Sequence, residues 1–373
     1  MGANSARFRA GQLFCACDSD GMPLAVGAVP DQTTIWHVSL SFALSVLAQI
    51  LTVSALPLIS IALAPEPQMR AWPYMGMLVG GALATFPASY LLDLFGRRAA
   101  FALGASLGLA GGVLAFWSVL HQAFMPFLIG VIWLGMAQGF GLFYRHAGSV
   151  SAFGATGRIF GAGVGAALAA PLLIEGLTAV AGVDAQALAF LAAGFVYLLA
   201  LALSVMLPAR QIEAADERIA AFDGRAGRRF IGASLMAGLA WALMSGVMAH
   251  APLALAGCGL SFDGSVLAMA VHLMAMYAPG FVIGYWVLRW GGLAVGLVGV
   301  ALLGAAALAL PFQVSAGGLI GLLAMAGMGW GIATIGASAW LHQAHRPTPL
   351  MLAGHDLILF LSAIAGVWTL RFV

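Results

Sequence analysis

Eleven apolar segments of about 20 residues recur along this chain, each the length needed to cross the hydrocarbon core of a bilayer. They cover roughly 35–63, 72–92, 99–120, 124–144, 158–175, 185–207, 231–250, 263–288, 292–311, 317–341 and 351–370. A chain so built has few ways to fold. Backbone amides inside lipid must find partners within their own segment, so each segment is read as a helix. Composition agrees: the 373 residues are 62% hydrophobic and 8% charged, against about 25% charged in a soluble domain. The sequence predicts an all-α polytopic membrane protein.

Connectors are short except at 208–230, a stretch rich in Arg and acidic residues. It divides the chain into a six-helix half (35–207) and a second half (231–373) in which five helices are read. Residues 1–34 contain no apolar core of a secretory signal and read as an N-terminal tail. With that tail inside, thirteen of the 15 arginines fall on the cytoplasmic side, leaving only Arg70 and Arg371 outside. The bias orients the chain, with 208–230 cytoplasmic. A net charge of +2 and the absence of Lys give no footprint for nucleic acid. No phosphate-binding GxxxxGK[ST] loop is present, and nothing suggests an enzyme or a bound cofactor. Cys15, Cys17 and Cys258 form no disulfide framework; Cys15 and Cys17 are a weak thiol pair.

The two halves repeat. Ser89-Tyr-Leu-Leu-Asp93-Leu-Phe95-Gly96 aligns with Gly284-Tyr-Trp-Val-Leu288-Arg-Trp290-Gly291 at an offset of 195 residues. Internal repeats of this kind are the plan of many secondary transporters.

Asp93-Leu94-Phe95-Gly96-Arg97-Arg98 resembles the cytoplasmic signature of the major facilitator superfamily, commonly G-x-x-x-D-R-x-G-R-R. Ser89 stands for the leading Gly, and Leu94 for the first Arg. The resemblance implies a major facilitator fold of two helical bundles. Asp93, Gly96, Arg97 and Arg98 would act as a conformational latch between them. Eleven spans is one short of the usual twelve.

Two pairs of soft ligands sit in consecutive spans, Met244-x-x-x-Met248 and His272-x-x-x-Met276. Residues four apart share a helix face, and thioether with imidazole suits Cu(I). Met is also a common apolar filler, whereas an intramembrane His is costly and usually functional. The paired motifs resemble those of CcoA-type copper importers, which supply copper for cbb₃-type cytochrome oxidase assembly. That resemblance implies copper as the transported ion, carried inward across the bacterial inner membrane by alternating access. Met244, Met248, His272 and Met276 would then be ligands, and His250 and Cys258 would receive the metal outside. Handover to a copper chaperone or an oxidase assembly factor would follow. Two alternatives stay open: a facilitator of an organic solute such as a drug or nutrient, and a non-transporting membrane assembly factor.

Other polar residues carry two readings each. Gln49 and Gln138 line a cavity or bond between helices. Tyr144-Arg145-His146 resembles the Arg-bearing fourth helix of the superfamily, or snorkels to the interface. His355-Asp356 relays protons or caps its helix. Gly157, Gly161 and Gly165 form a small-residue ridge for close packing.

Overall fold

A computed structural model gives the fold and describes residues 32–148, 153–207, 224–257, 262–343 and 347–369. The described residues are helical throughout: α1 (Gln32–Leu63), α2 (Trp72–Leu120), α3 (Phe124–Leu142), α4 (Tyr144–Gly148), α5 (Phe153–Gly161), α6 (Gly163–Ala181), α7 (Ala185–Met206), α8 (Gly224–Gly257), α9 (Phe262–Tyr277), α10 (Gly280–Ala309), α11 (Ala316–His342) and α12 (Pro349–Thr369). These helices are apolar on nearly every face, as expected where the outer side meets lipid and the inner side meets protein. Leu172, Leu288 and Leu308 point outward and are 70–75% exposed. In water such side chains would drive association; in acyl chains they are solvated.

Two stretches are too long for one crossing. Pro67–Leu120 runs for 54 residues and Leu267–Phe312 for 46, roughly 80 and 70 Å at about 1.5 Å per residue, against a hydrocarbon core of about 30 Å. Each turns back at a glycine, Gly96 (φ 80°, ψ −179°) and Gly291 (φ 79°, ψ 157°). Both limbs of α2 then lie along α3, with Gly80 against Ile132 and Gly111 against Gly130. Among the described residues nine helices are long and apolar enough to cross a membrane; counted limb by limb, with the two that turn back at glycine, they make eleven candidate spans. The aligned glycines of the sequence repeat are therefore the two reversal points.

Within the first half, α2 packs on α3 and α7, and α1 on α7; within the second, α11 packs on α10, α9 and α8, and α12 on α8. The halves meet through α2 with α12, α5 with α10, and α6 with α9. At one such seam the backbones touch. A Cβ on Gly280 would sit 2.7 Å from the Gly157 oxygen and 2.7 Å from the Gly161 nitrogen. Part of the glycine ridge read from sequence is thus spent on the contact between halves.

Candidate functional site

Two layers of side chains cross the seam between halves, one aromatic and one ionic. The aromatic layer begins with Phe42 of α1, whose ring lies 5.8 Å from Phe160 of α5 and 6.0 Å from Tyr277 of α9. Phe160 is 5.9 Å from Trp330 of α11, Trp330 is 5.4 Å from Trp241 of α8, and Trp241 is 5.4 Å from Phe360 of α12. Phe360 in turn lies against Gly81 of α2. The chain of rings passes from the first half to the second and back. All six rings are buried, and their spacings fall in the range of favourable aromatic contacts. Close to these rings in sequence are polar atoms with no hydrogen-bond partner: Trp241 Nε1 itself, and Thr334 Oγ1 one turn from Trp330. Gln138 Oε1 of α3 is also buried and unpartnered. Buried polar groups are nearly always bonded, so these three exceptions are candidates to receive a ligand's polar groups.

The ionic layer lies nearer the arginine-rich end. Arg145 of α4 is 2% exposed and forms an ion pair with Asp356 of α12, itself fully buried. The same guanidinium donates to Ser338 Oγ of α11 (3.3 Å) and to the Leu142 carbonyl (3.2 Å). Around the pair stand three imidazoles. His146 Nδ1 is 3.1 Å from His342 Nε2, His146 Nε2 is 3.5 Å from Asp356 Oδ1, and His355 Nδ1 is 3.0 Å from Ser234 Oγ of α8. Asp356 Oδ2 and His355 Nε2 are buried with no hydrogen-bond partner. Beside this layer, Ser89 Oγ of α2 donates to the Pro349 carbonyl of α12 at 2.6 Å. Every one of these cross-half bonds lies toward the arginine-rich end. Toward the other end, Tyr74 of α2 lies against Ser245 of α8.

The layers share helix faces. On α11, Trp330, Thr334, Ser338 and His342 recur every four residues, a single stripe. Phe360 and Asp356 are one turn apart on α12, and Trp241 and Ser234 two turns apart on α8. A shift that parts the rings therefore bears on the ion pair.

The residues singled out from sequence as metal ligands are distributed differently. Met244 and Met276 are buried and Met248 partly so. His272 is buried on α9, and its Nδ1–H donates to the Leu323 carbonyl of α11 at 2.6 Å. A carbonyl only accepts, so Nδ1 carries the proton and Nε2 keeps its lone pair. The two soft pairs sit on α8 and α9, which meet each other only marginally; α8 packs chiefly on α12 and α9 on α11. Among the described residues no group of three or more His, Cys, Asp or Glu is arranged to hold a metal. The His250 side chain, Cys258, Cys15 and Cys17 lie outside the described residues. Of the signature segment, Asp93 and Arg98 are exposed at the Gly96 turn and Arg97 is half-buried. Ser89, the departure from the signature, supplies the bond to the other half.

No protein-family model matches the chain. The riboflavin transporter RfnT of Brucella anthropi is 31% identical over 316 residues, spanning 81% of this chain and 79% of that protein. Solved structures share the fold at lower identity. The proton:xylose symporter XylE superposes with a TM-score of 0.67 at 17% identity, covering 91% of this chain and 89% of that one. A human organic anion transporter gives 0.69 at 14%, covering 91% and 92%. The chain belongs to the major facilitator superfamily. A bacterial homologue of the iron transporter ferroportin, in an outward-facing state, also superposes, with a TM-score of 0.58 at 14% identity over 91% of this chain and 98% of that one. As a superfamily member the chain is a multi-pass membrane transporter and not an enzyme. The two layers thus occupy the seam between the two bundles of a facilitator.

Proposed function

We propose that this facilitator moves a flat, heteroaromatic organic solute of the riboflavin class by alternating access. The aromatic chain across the seam carries this reading. Its rings belong to both halves, so a planar cargo between them would be held by each half and would tie their movement together. Phe160 and Trp330 face each other from opposite halves at 5.9 Å and a 31° tilt. A ring inserted between two others needs their planes about 7 Å apart, two contact separations of about 3.5 Å. The two rings would therefore have to move apart to admit one. The unpartnered Trp241 Nε1 would donate to a ring carbonyl or nitrogen. Thr334 Oγ1 and Gln138 would meet ring edges or side-chain hydroxyls of such a solute. The similarity to RfnT supports the same class of cargo. The arginine bias supports a cytoplasmic 208–230, and we read the transport as import across a bacterial inner membrane.

Copper import is a second reading, favoured by one observation. The bond from His272 Nδ1–H to the Leu323 carbonyl leaves Nε2 as a lone-pair donor, the tautomer a metal ligand requires. It has less support than the first, because α8 and α9 do not bring the two soft pairs into one evident cage, and the curated relative is named for riboflavin. Supply to an oxidase assembly factor rests on this second reading alone.

The test is uptake of radiolabelled riboflavin and of radioactive copper, in parallel, by cells with and without the protein. Riboflavin accumulation that depends on the protein supports the first reading. Copper accumulation without riboflavin accumulation would replace it with the second.

A further inference from the structure

The two layers at the seam do not exhaust the polar interior. A group of hydroxyls lies inside the first half. Ser45 of α1, Tyr144 of α4 and Tyr197 of α7 line one small cavity, whose remaining walls are apolar side chains and glycines. Tyr197 lies against Ser45 and close to Tyr144, and Tyr144 lies against Ser41 and Ser204. All five are buried. The Ser204 hydroxyl donates to the Ala200 carbonyl at 2.8 Å, so toward its neighbours it can only accept. Ser41 Oγ is buried with no hydrogen-bond partner.

Two local features open this space. At Gly141 a Cβ would collide with Ser45 Oγ, so glycine leaves room for that hydroxyl. Beside it, α3 gives way to α4 at Phe143, where backbone bonds tighten from four-residue to three-residue spacing. Phe143 N–H donates to the Phe140 carbonyl at 3.1 Å, and His146 N–H to the Phe143 carbonyl at 3.0 Å. Interruptions of this kind occur where a side chain or a water enters the helical ladder. Phe140 and Gly141 before the break and Tyr144 after it all line the cavity. Phe101, stacked on Tyr144 at 3.8 Å, holds that ring in place.

The chemistry of the walls selects the occupant. The cavity has room for about one water molecule, far less than the proposed cargo needs. A buried water requires about two to four polar partners, and three hydroxyls line this space, each able to donate once and accept twice. Among the described residues no charged side chain lines it, so an ion would find no counter-charge there.

We propose that this cavity is a binding site for a single ordered water molecule, which bridges the hydroxyls of Ser45, Tyr144 and Tyr197 and fastens the α3–α4 break to α1 and α7. The water joins side chains from three helices into one hydrogen-bonded unit. Tyr144 precedes Arg145 in the chain, so the same water steadies the backbone from which Arg145 reaches Asp356 of the other half.

The experiment uses full-length protein in lipid nanodiscs, with water itself as the probe and no cargo, so its outcome is independent of which solute is carried. X-ray radiolysis of a bound water produces hydroxyl radicals that label the side chains beside it, even where bulk water does not reach. Tyr144 and Tyr197 should be labelled, whereas Phe127 and Phe190, sealed in the same half at 0% exposure, should not. After rapid dilution into water enriched in heavy oxygen, the label on the two tyrosines should acquire heavy oxygen more slowly than that on the exposed Tyr90 and Tyr285. The variant Ser45→Ala/Tyr197→Phe removes two of the three partners and only oxygen atoms, so labelling of Tyr144 should fall to the level of Phe127; the milder Tyr197→Phe should lower it too. Wild-type labelling of Tyr144 and Tyr197 no greater than that of Phe127 would overturn the proposal. So would heavy-oxygen uptake as fast as at Tyr90, or undiminished Tyr144 labelling in the variants.

Discussion

Gly96 and Gly291, 195 residues apart in sequence, adopt the same backbone conformation, with φ values of 80° and 79° and ψ near the extended value. This region of backbone space is open essentially to glycine only, and at both places the chain reverses between neighbouring spans. A Cβ on Gly291 would meet nothing nearer than Gln343 Nε2 at 3.8 Å. The demand for glycine there comes from backbone strain and not from crowding.

Gly291→Ala should therefore cost about 1–3 kcal/mol while leaving the packing intact, read as a lower unfolding temperature of the detergent-purified protein. Gly291→Asn should fare no better. Asn tolerates the left-handed helical region but not this extended one, so rescue by Asn would show that the turn has another conformation.

The Gly157–Gly280 contact holds the halves together at backbone distance. Gly280→Val should wedge them apart and raise the reactivity of a cysteine introduced at the arginine-rich end toward a thiol reagent applied from that side. Unchanged reactivity would mean that α5 and α10 are not tightly joined there.

Arg145 and Asp356 should behave as one unit. Removing either partner of a buried pair leaves an unpaired charge and costs about 3–5 kcal/mol. Arg145→Gln and Asp356→Asn should each lower the unfolding temperature sharply, and the double variant should recover most of the loss. Additive losses in the double-mutant cycle would deny the pair.

Much of this architecture was legible in the sequence because it depends on local pattern. Segment length gave the eleven crossings, and the 195-residue repeat pointed to both reversal glycines. The ionic layer was not legible as a unit. Tyr144-Arg145-His146 and His355-Asp356 each stood out as polar residues at span ends, but nothing local says that Arg145 meets a residue 211 positions away. The aromatic chain was missed for the same reason: Phe42, Phe160, Trp330 and Trp241 are ordinary members of apolar spans until four helices bring them together. Spacing also says which residues share a helix face and not what that face meets. Met244 and Met248 share one, and His272 and Met276 another, yet the main neighbour of α8 is α12 and that of α9 is α11.

The ligand chemistry separates the two cargo readings. Met and Leu have similar volumes, so Met244→Leu/Met248→Leu keeps the packing at less than about 1.5 kcal/mol per site and removes only sulfur. For a heteroaromatic cargo, uptake should stay within about twofold of wild type. A collapse of copper accumulation in this variant, with protein level unchanged, would favour the metal instead.

The central claim is that a planar cargo lies between rings of the two halves, and the most direct measurement is riboflavin binding and uptake by the purified protein in proteoliposomes. Wild-type vesicles should accumulate riboflavin. Trp330→Ala should weaken binding by roughly tenfold, as expected for an aromatic contact of about 0.5–1.5 kcal/mol together with lost buried area. Trp330→Phe should recover most of it, whereas Trp241→Phe, which keeps a ring but removes the Nε1 donor, should not restore full affinity. Riboflavin uptake at the level of empty vesicles, or unchanged binding in Trp330→Ala, would contradict the account.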